Sequence, residues 1–409
     1  MMSSFGRDTS NDLQHARFYG APSGLAFLQR TEEVLTKSGH GPNSGSERSQ
    51  SAILQLFDPP SGQHDWDDGD LPSEAMLPTR DTALKLLTVV LTAAYPLFPI
   101  CDEPILMAAI NQVYNGSSVV DEKPSQTTMA LLHIVLGLGY LFSTSEHRRF
   151  GCDGALKAAR RHYVSAYKLT DFSDCGDFPS LQLLLSFTVF QISVSRLASA
   201  HAIIAQACSS ALRLGLHHRS THHSTVSRED RATRRTVFWT VIKLDMYLSA
   251  VLGLPPFIDL RQVDPALDLT LAEAITEAEA SLPDPAAAHL AISAKHLELM
   301  RLIARAIKVL YPMPDPSDSN DDPRAHTSIR LVELTQIEQG FKTWHSEASQ
   351  ILRKGDDESV GFARSAQTIP LSLSEAKELL GSNMIWRCRS TLAKSCSCDH
   401  FFILWRTAV

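Results

Sequence analysis

The sequence predicts an all-α, multi-helix protein with disordered linkers. Three observations carry that expectation. Apolar residues recur at three- and four-residue spacing through most of residues 80–352. Ser, Asp, Gly and Pro interrupt the pattern where helices start and stop, and strand-like alternation between hairpin signals is scarce. With 409 residues, 44% of them hydrophobic, the chain can bury a large core, and length alone suggests roughly two to three domain-sized units. Composition divides it into an N-terminal segment (1–37), a flexible linker (38–79), a helical domain (80–352) and a poorly defined tail (353–409).

Residues 38–79 are rich in Ser, Gly, Pro and Asp, with one apolar island at Ile53 to Phe57. So little apolar surface cannot offset the entropy of ordering, hence the expected linker. Asp81 is the expected N-cap of the first helix, whose Leu84, Leu87, Val90 and Leu91 share a face; Pro96 should lie beyond its end. Helices are then expected over Thr127–Phe142, Gly154–Leu169, Ser180–Ser195, Ala198–Leu214, Arg228–Leu252, Ala286–Leu310 and Ile329–Leu352. DFSDCGDFP (171–179) separates two of them, and Pro179-Ser180 offers a helix start. In the last helix Leu331, Leu334, Ile337 and Phe341 form the stripe, with Trp344 close to it. No segment repeats with a period of 20 to 50 residues, which argues against a solenoid.

A formal net charge of −7 argues against a surface that attracts phosphate everywhere, so any nucleic-acid contact must be local. Seven scattered cysteines (101, 152, 175, 208, 388, 396 and 398) lack the spacing of a secreted disulfide scaffold and fit a reducing intracellular compartment. The opening MMSSFGRDTSNDLQHARFYG has no apolar signal region. The longest apolar runs are short or interrupted: 129–142 carries His133, and 83–100 contains Lys85 and Pro96. A bilayer span needs about 20 apolar residues, so no membrane partner is expected.

Tests for chemistry fail one by one. No CxxC pair exists, and Cys388, Cys396 and Cys398 match no common zinc spacing. HHRSTHH, with His217, His218, His222 and His223, is the best metal candidate by composition, yet it lacks the carboxylate and helical spacing of an HExxH site. HDWDDGD (64–70) starts like a calcium loop but places Asp70 and Met76 where such a loop would be expected to carry Gly and Glu. A helical diphosphate cyclase would need DDxxD, which is absent, as are GxSxG, GxxxxGK[ST] and a strand-linked GxGxxG. No enzyme, no catalytic residue and no cofactor are therefore expected. Arg228, Arg231 and Arg234, beside Arg235, form a basic ridge interleaved by Glu229 and Asp230, as a solvated helix face does; HRR (147–149) and KAARRH (157–162) are similar clusters.

RRTVFWTVIKLDMYLSAVLGLPPFIDLRQVD (234–264) is the most informative stretch. Val237, Val241, Leu244, Leu248 and Val251 repeat by four and three as one helical stripe. Asp245 falls among them and needs a positive or hydrogen-bonding partner, because burial alone would be costly. Gly253 suits a helix end, and Pro255-Pro256 prevents continuation.

This stretch resembles the signature of the fungal-specific transcription factor domain, the middle homology region of zinc-cluster regulators. Arg234, Arg235, Phe238, Trp239, Asp245, Gly253, Pro255, Pro256 and Asp264 occupy its places, with Leu254 where Arg is commoner. Three further segments agree in order. ARFYGAPSGLAFLQRTEEVL carries Arg17, Phe18 and Gly20, and AAYPLFPICDEPILMAAI carries Pro96, Phe98 and Pro99. A helix pair closes on Leu214, Gly215, Leu216 and His217. The resemblance covers about residues 16–350 and implies a helical regulatory domain that acts in the nucleus on RNA polymerase II transcription. It implies dimerisation or a small effector as means of control.

The family normally reads DNA through an N-terminal six-cysteine zinc cluster, and residues 1–100 contain no cysteine. DNA contact is accordingly expected through a domain absent from this chain or through a partner regulator, and zinc only with such a cluster. The tail does not resemble the family's helical continuation, and a truncated or aberrant end is expected there. Two other readings stay open: a stand-alone interaction or small-molecule-binding protein that modulates an intact regulator, and a helical enzyme built on the same scaffold.

Overall fold

The computed structural model describes residues 4–6, 17–20, 22–23, 76–114, 124–218, 228–267, 285–310 and 323–356. Nine α-helices dominate them: α1 (Arg80–Ala93), α2 (Glu103–Tyr114), α3 (Gln126–Phe142), α4 (Thr144–Lys168), α5 (Phe178–Ser193), α6 (Leu197–Arg213), α7 (Arg228–Leu252), α8 (Pro285–Leu310) and α9 (Pro323–Asp356). Two three-residue strands, β1 (Ser4–Gly6) and β2 (Arg17–Tyr19), pair antiparallel with Phe5 opposite Phe18. The fold is all-α in its substance.

Two helices are buried on every side and form the axis of the core. In α3 every residue from Ala130 to Phe142 is buried, and in α5 every residue from Leu181 to Ser193. A helix apolar all round must be covered all round, and α1, α4, α6 and α7 pack around this pair. Both starts are capped: Ser125 Oγ accepts from Thr128 N at 3.1 Å, and Asp177 Oδ1 accepts from Ser180 N at 2.9 Å. The polar residues of α5 cost little, because Ser186, Thr188 and Ser193 return their hydroxyls to the carbonyls of Gln182, Leu184 and Val189. No single helix among the described residues is long and apolar enough to cross a membrane; α3 and α4 pass on length and composition only as a pair bent by 91°.

Several sequence expectations need correction. Asp81 is not the cap of α1: the helix begins at Arg80 after Thr79, whose side chain makes no capping bond, and Asp81 lies inside the first turn. There its charge still suits the helix dipole. The buried face is Ala83, Leu86, Leu87 and Val90, so Leu84 and Leu91 sit at its margins. Glu103–Tyr114 is a helix that the pattern left unassigned, and Phe178 rather than Ser180 opens α5, with Pro179 in the first turn. The helix expected from Gly154 starts at Thr144 and is broken at Gly151, where φ is 72° and ψ 166°. Likewise α9 runs past both ends of the expected Ile329–Leu352. The expectations for residues 38–75, for His222 and His223, and for the tail from 357 concern positions outside the described residues.

The second helical layer is α7, α8 and α9. Ile337, Phe341, Trp344 and Ala348 of α9 are buried, and Trp344 Nε1 donates to Lys295 O of α8 at 2.7 Å. Lys295 also bridges Glu298 at 2.9 Å and Glu347 at 2.8 Å, tying the same pair together at the surface.

The N-terminal strand is fastened to the far end of α7. Gly20 N donates to Leu252 O at 3.2 Å, and Tyr19 is buried against Leu252 with Leu197 and Leu254 beside it. A Cβ on Gly20 would lie 1.8 Å from Gly253 O, and one on Gly253, where φ is +70°, would lie 2.8 Å from Gly20 O. Two backbones touch where no side chain fits, and Gly253 also takes the left-handed turn that ends the helix. Gly253→Ala should therefore cost about 1–2 kcal/mol from backbone strain alone, read as a lowered urea midpoint. Gly20→Ala should instead detach residues 17–23 while the helices stay folded. Faster tryptic cleavage at Arg17 with an unchanged far-ultraviolet spectrum is the expected pair of results.

Candidate functional site

α7 is the element on which the described parts of the motifs converge. Its apolar residues from Val237 to Leu248 face neighbours on all sides, with Tyr247 alone partly exposed. Phe238 and Trp239, ring centroids 5.7 Å apart, enter the core together. The helix therefore offers side chains to three partners at once: the segment 94–102, the loop that follows its own C-terminus, and α8.

The 94–102 segment is the non-helical stretch between α1 and α2, and most of it is buried. Its amides turn back locally, Phe98 N donating to Ala94 O at 3.0 Å. Its carbonyls are met by side chains from elsewhere. Lys243 Nζ donates to Leu97 O, Thr240 Oγ1 donates to Pro99 O at 2.8 Å, and Gln182 Nε2 of α5 donates to Ile100 O at 2.7 Å. Thr233 Oγ1 donates to Asp102 Oδ2 at 2.5 Å at the head of α7. Pro96, Phe98 and Pro99 thus lie along α7, with Pro96 and Phe98 buried and Pro99 partly so.

At the other end Asp245 holds the turn. It is 1% exposed, and its carboxylate accepts from Phe257 N and Ile258 N, both at 3.0 Å, and from Ser249 Oγ at 3.3 Å. The partners are backbone amides, not a cation. Burial pushes its pKa up, and these hydrogen bonds oppose the shift. Pro255, Pro256 and Phe257 are exposed above this anchor. Gly215, with φ of 68°, ends α6, and Leu216 N returns to Ala211 O at 3.1 Å. The chain then passes His217, whose carbonyl accepts from Asp264 N at 3.0 Å, while Asp264 Oδ1 accepts from Ala266 N at 2.9 Å. Leu214 and Leu216 pack into the core from this corner.

The basic ridge is less uniform than a solvated face. Arg231 is exposed, but Arg234 stands over the Phe178 ring at 4.8 Å and Arg235 is only partly exposed. Arg17 and Phe18 lie in β2, on the strand that Gly20 fastens to α7.

The sequence reading missed a polar node between α7 and α8. Lys243 is wholly buried, donates to Ser293 Oγ at 2.6 Å as well as to Leu97 O, and lies 5.6 Å from the Phe98 ring. Burial holds its ammonium well below the usual lysine range. His296 is buried beside it, edge-on to Phe98 at 5.1 Å, and its pKa is lowered to about 3, first by burial and then by Lys243. The available signal was a single lysine inside the apolar run TVFWTVIKLDMYL. A second imidazole pair, His133 and His162, meets Nδ1 to Nδ1 at 3.0 Å between α3 and α4, with His162 lowered to about 3 by burial.

Among the described residues no three His, Cys, Asp or Glu side chains are grouped to hold a metal ion, and Cys101, Cys152, Cys175 and Cys208 are free. Burial pushes the Cys101 thiol up to about 12, which makes it inert rather than nucleophilic.

Two outcomes follow. Asp245→Ala leaves the amides of Phe257 and Ile258 without an acceptor and should cost about 3 kcal/mol in urea unfolding, with Asp245→Asn intermediate. His296 stays neutral in the fold, whereas the unfolded chain takes up a proton below its ordinary 6.5. The unfolded state binds more protons in that window, so stability falls as the pH drops from 6.5 towards 3, by about 2 kcal/mol at pH 5 from this residue. His296→Phe should shrink the difference between urea midpoints at pH 7 and pH 5.

Comparison with known proteins bears on what such a scaffold is. The family described as the fungal specific transcription factor domain matches residues 91–346. Activator of stress genes protein 1 of Candida albicans is 25% identical over 301 residues, covering 69% of this chain and 30% of the relative. Activator of stress genes 1 of Saccharomyces cerevisiae is 27% identical over 314 residues, 74% of this chain and 31% of the relative. The terreic acid cluster-specific transcription factor atF of Aspergillus terreus is 24% identical over 256 residues, 61% and 37%. This chain thus spans well under half the length of these relatives. No solved structure matches. The matched region holds α2 to α8, the 94–102 segment, the α7 helix and its closing turn, and on that match the chain belongs to the fungal-specific transcription factor domain family.

Proposed function

We propose that the chain supplies the regulatory module of a fungal transcription regulator, controlling RNA polymerase II transcription of a gene set in the nucleus without chemistry of its own. The observation that supports this best is the family match over a domain whose motif residues serve packing and turn-holding, not catalysis. Relatives that bear the names of transcription activators and factors point the same way. Residues 1–100 contain no cysteine, so a six-cysteine zinc cluster does not lie within them. DNA contact in this reading comes through another segment or through a partner regulator, and the helical domain contributes pairing or response to an effector.

In a second reading the helical domain acts as the partner that tunes an intact zinc-cluster regulator. The residues proposed to carry the module's shape are those placed on or against α7: Arg234, Arg235, Phe238, Trp239, Asp245, Gly253, Pro255, Pro256 and Asp264. Tethering the full chain to a heterologous DNA-binding domain should change reporter transcription, and an Asp245→Ala variant should lose that effect in step with its loss of folded protein. The purified chain alone should shift duplex DNA without site preference. A reporter indifferent to the tethered chain would sink the regulatory reading, and a site-specific shift by the chain alone would overturn the assignment of DNA contact to another segment or partner.

A further inference from the structure

We propose that the outer face of α4 is a docking surface for an acidic peptide segment that carries an aromatic anchor. The proposal stands on the surface of this helix and is independent of the regulatory reading above.

The face is built by helix period. Beyond the break at Gly151, Gly154, Lys157, Arg161 and Lys168 recur at spacings of three, four and seven, which places them on one side of the helix. Lys157, Arg161 and Lys168 are exposed. Gly154 leaves a seat at the head of this stripe, and Phe150 occupies it: a Cβ on Gly154 would lie 2.9 Å from Phe150 Cβ. Phe150 is nevertheless 49% exposed, and the Arg149 guanidinium stands 4.8 Å over its ring. Arg148, also exposed, precedes it. Tyr167 is 52% exposed but lies off this stripe, about 100° round the helix from Lys168, and its ring packs on Phe172 at 4.8 Å. Arg148, Lys157 and Arg161 have no ion-pair partner among the described residues. The acids of this helix do not neutralise the stripe: Asp153 sits at its edge and Glu146 is half-buried before the break.

Of the six Lys and Arg of this helix, Arg148, Arg149, Lys157, Arg161 and Lys168 are exposed, in a chain whose net charge is −7. That combination selects the partner. A nucleic-acid duplex is a long polyanion and would feel the repulsion of the whole molecule. A short acidic segment would span only the basic face, and its aromatic side chain would use Phe150, which a phosphate backbone would not. Arg and Phe are also among the side chains enriched at protein interfaces.

The test uses the full chain and a fluorescein-labelled peptide of aspartates interrupted by phenylalanine, with binding read by anisotropy over a salt series. Arg148→Glu with Arg161→Glu should weaken binding about tenfold or more and flatten its salt dependence. Phe150→Ala should weaken it while leaving the salt slope in place. Both charge reversals are at exposed positions, so melting curves should superpose on those of the parent. Failure of the parent chain to bind the peptide, or indifference of binding to the charge reversals, would overturn the proposal. So would a labelled duplex that binds more tightly than the peptide and is lost in the same variant, which would make the face a nucleic-acid contact.

Discussion

A stretch of backbone that leaves the helical ladder inside a core must find its hydrogen bonds elsewhere, and the 94–102 segment imposes that constraint on everything around it. Three of its carbonyls are met by Lys243, Thr240 and Gln182, from two different helices. These side chains reach it only if α7 and α5 hold fixed rotation and height beside it. Proline at 96 and 99 explains why the segment is not helical, and the apolar Leu97, Phe98 and Ile100 explain why it is inside. The result is a domain whose packing is specified by polar contacts within an apolar core. Leaving any of these carbonyls unmet would cost roughly 1–3 kcal/mol.

The same logic accounts for the buried ionisable side chains of α7. One carboxylate is buried because two amides of the following loop need an acceptor, and the loop keeps its shape because the carboxylate is there. Lys243 presents the opposite case. Among the described residues its amine is enclosed with a carbonyl and a hydroxyl but no carboxylate, and burial lowers its pKa. Around both residues the helix is apolar, so neither has water to fall back on. A domain organised in this way tolerates few changes along α7 without a change in shape.

Much of the helical layout was legible in the sequence. The three- and four-residue spacing located α5 to α8 closely, since their faces are continuous and their ends carry Asp, Pro and Gly. What was not legible has physical causes. Thr79 precedes α1 without capping it, so the stronger capping residue one position into the helix was misleading. α2 is short and opens on a Glu-Pro pair that reads as loop. Gly151 interrupts α4 without a proline, and a helix restarted at Gly154 was all that periodicity could support. At the site, Asp245 and Gly253 stood out because each conflicts with its surroundings in the sequence. The partners of Asp245 are backbone amides, which any residue except proline supplies, and so left no trace. The Lys243, Ser293 and His296 node joins two helices far apart in the sequence, and only a lone lysine in an apolar run hinted at it.

The contact between Gly20 and Gly253 joins positions that lie far apart along the chain, and it is made by backbone against a completed helix end. Closing so long a loop is entropically unfavourable and brings only a small buried area, chiefly Tyr19. The strand therefore has nothing to dock on until α7 and its turn exist, which places it late in the order of assembly. The RFYG segment is in this sense a reporter of α7: its attachment marks a chain in which the C-terminal turn of that helix has already been shaped.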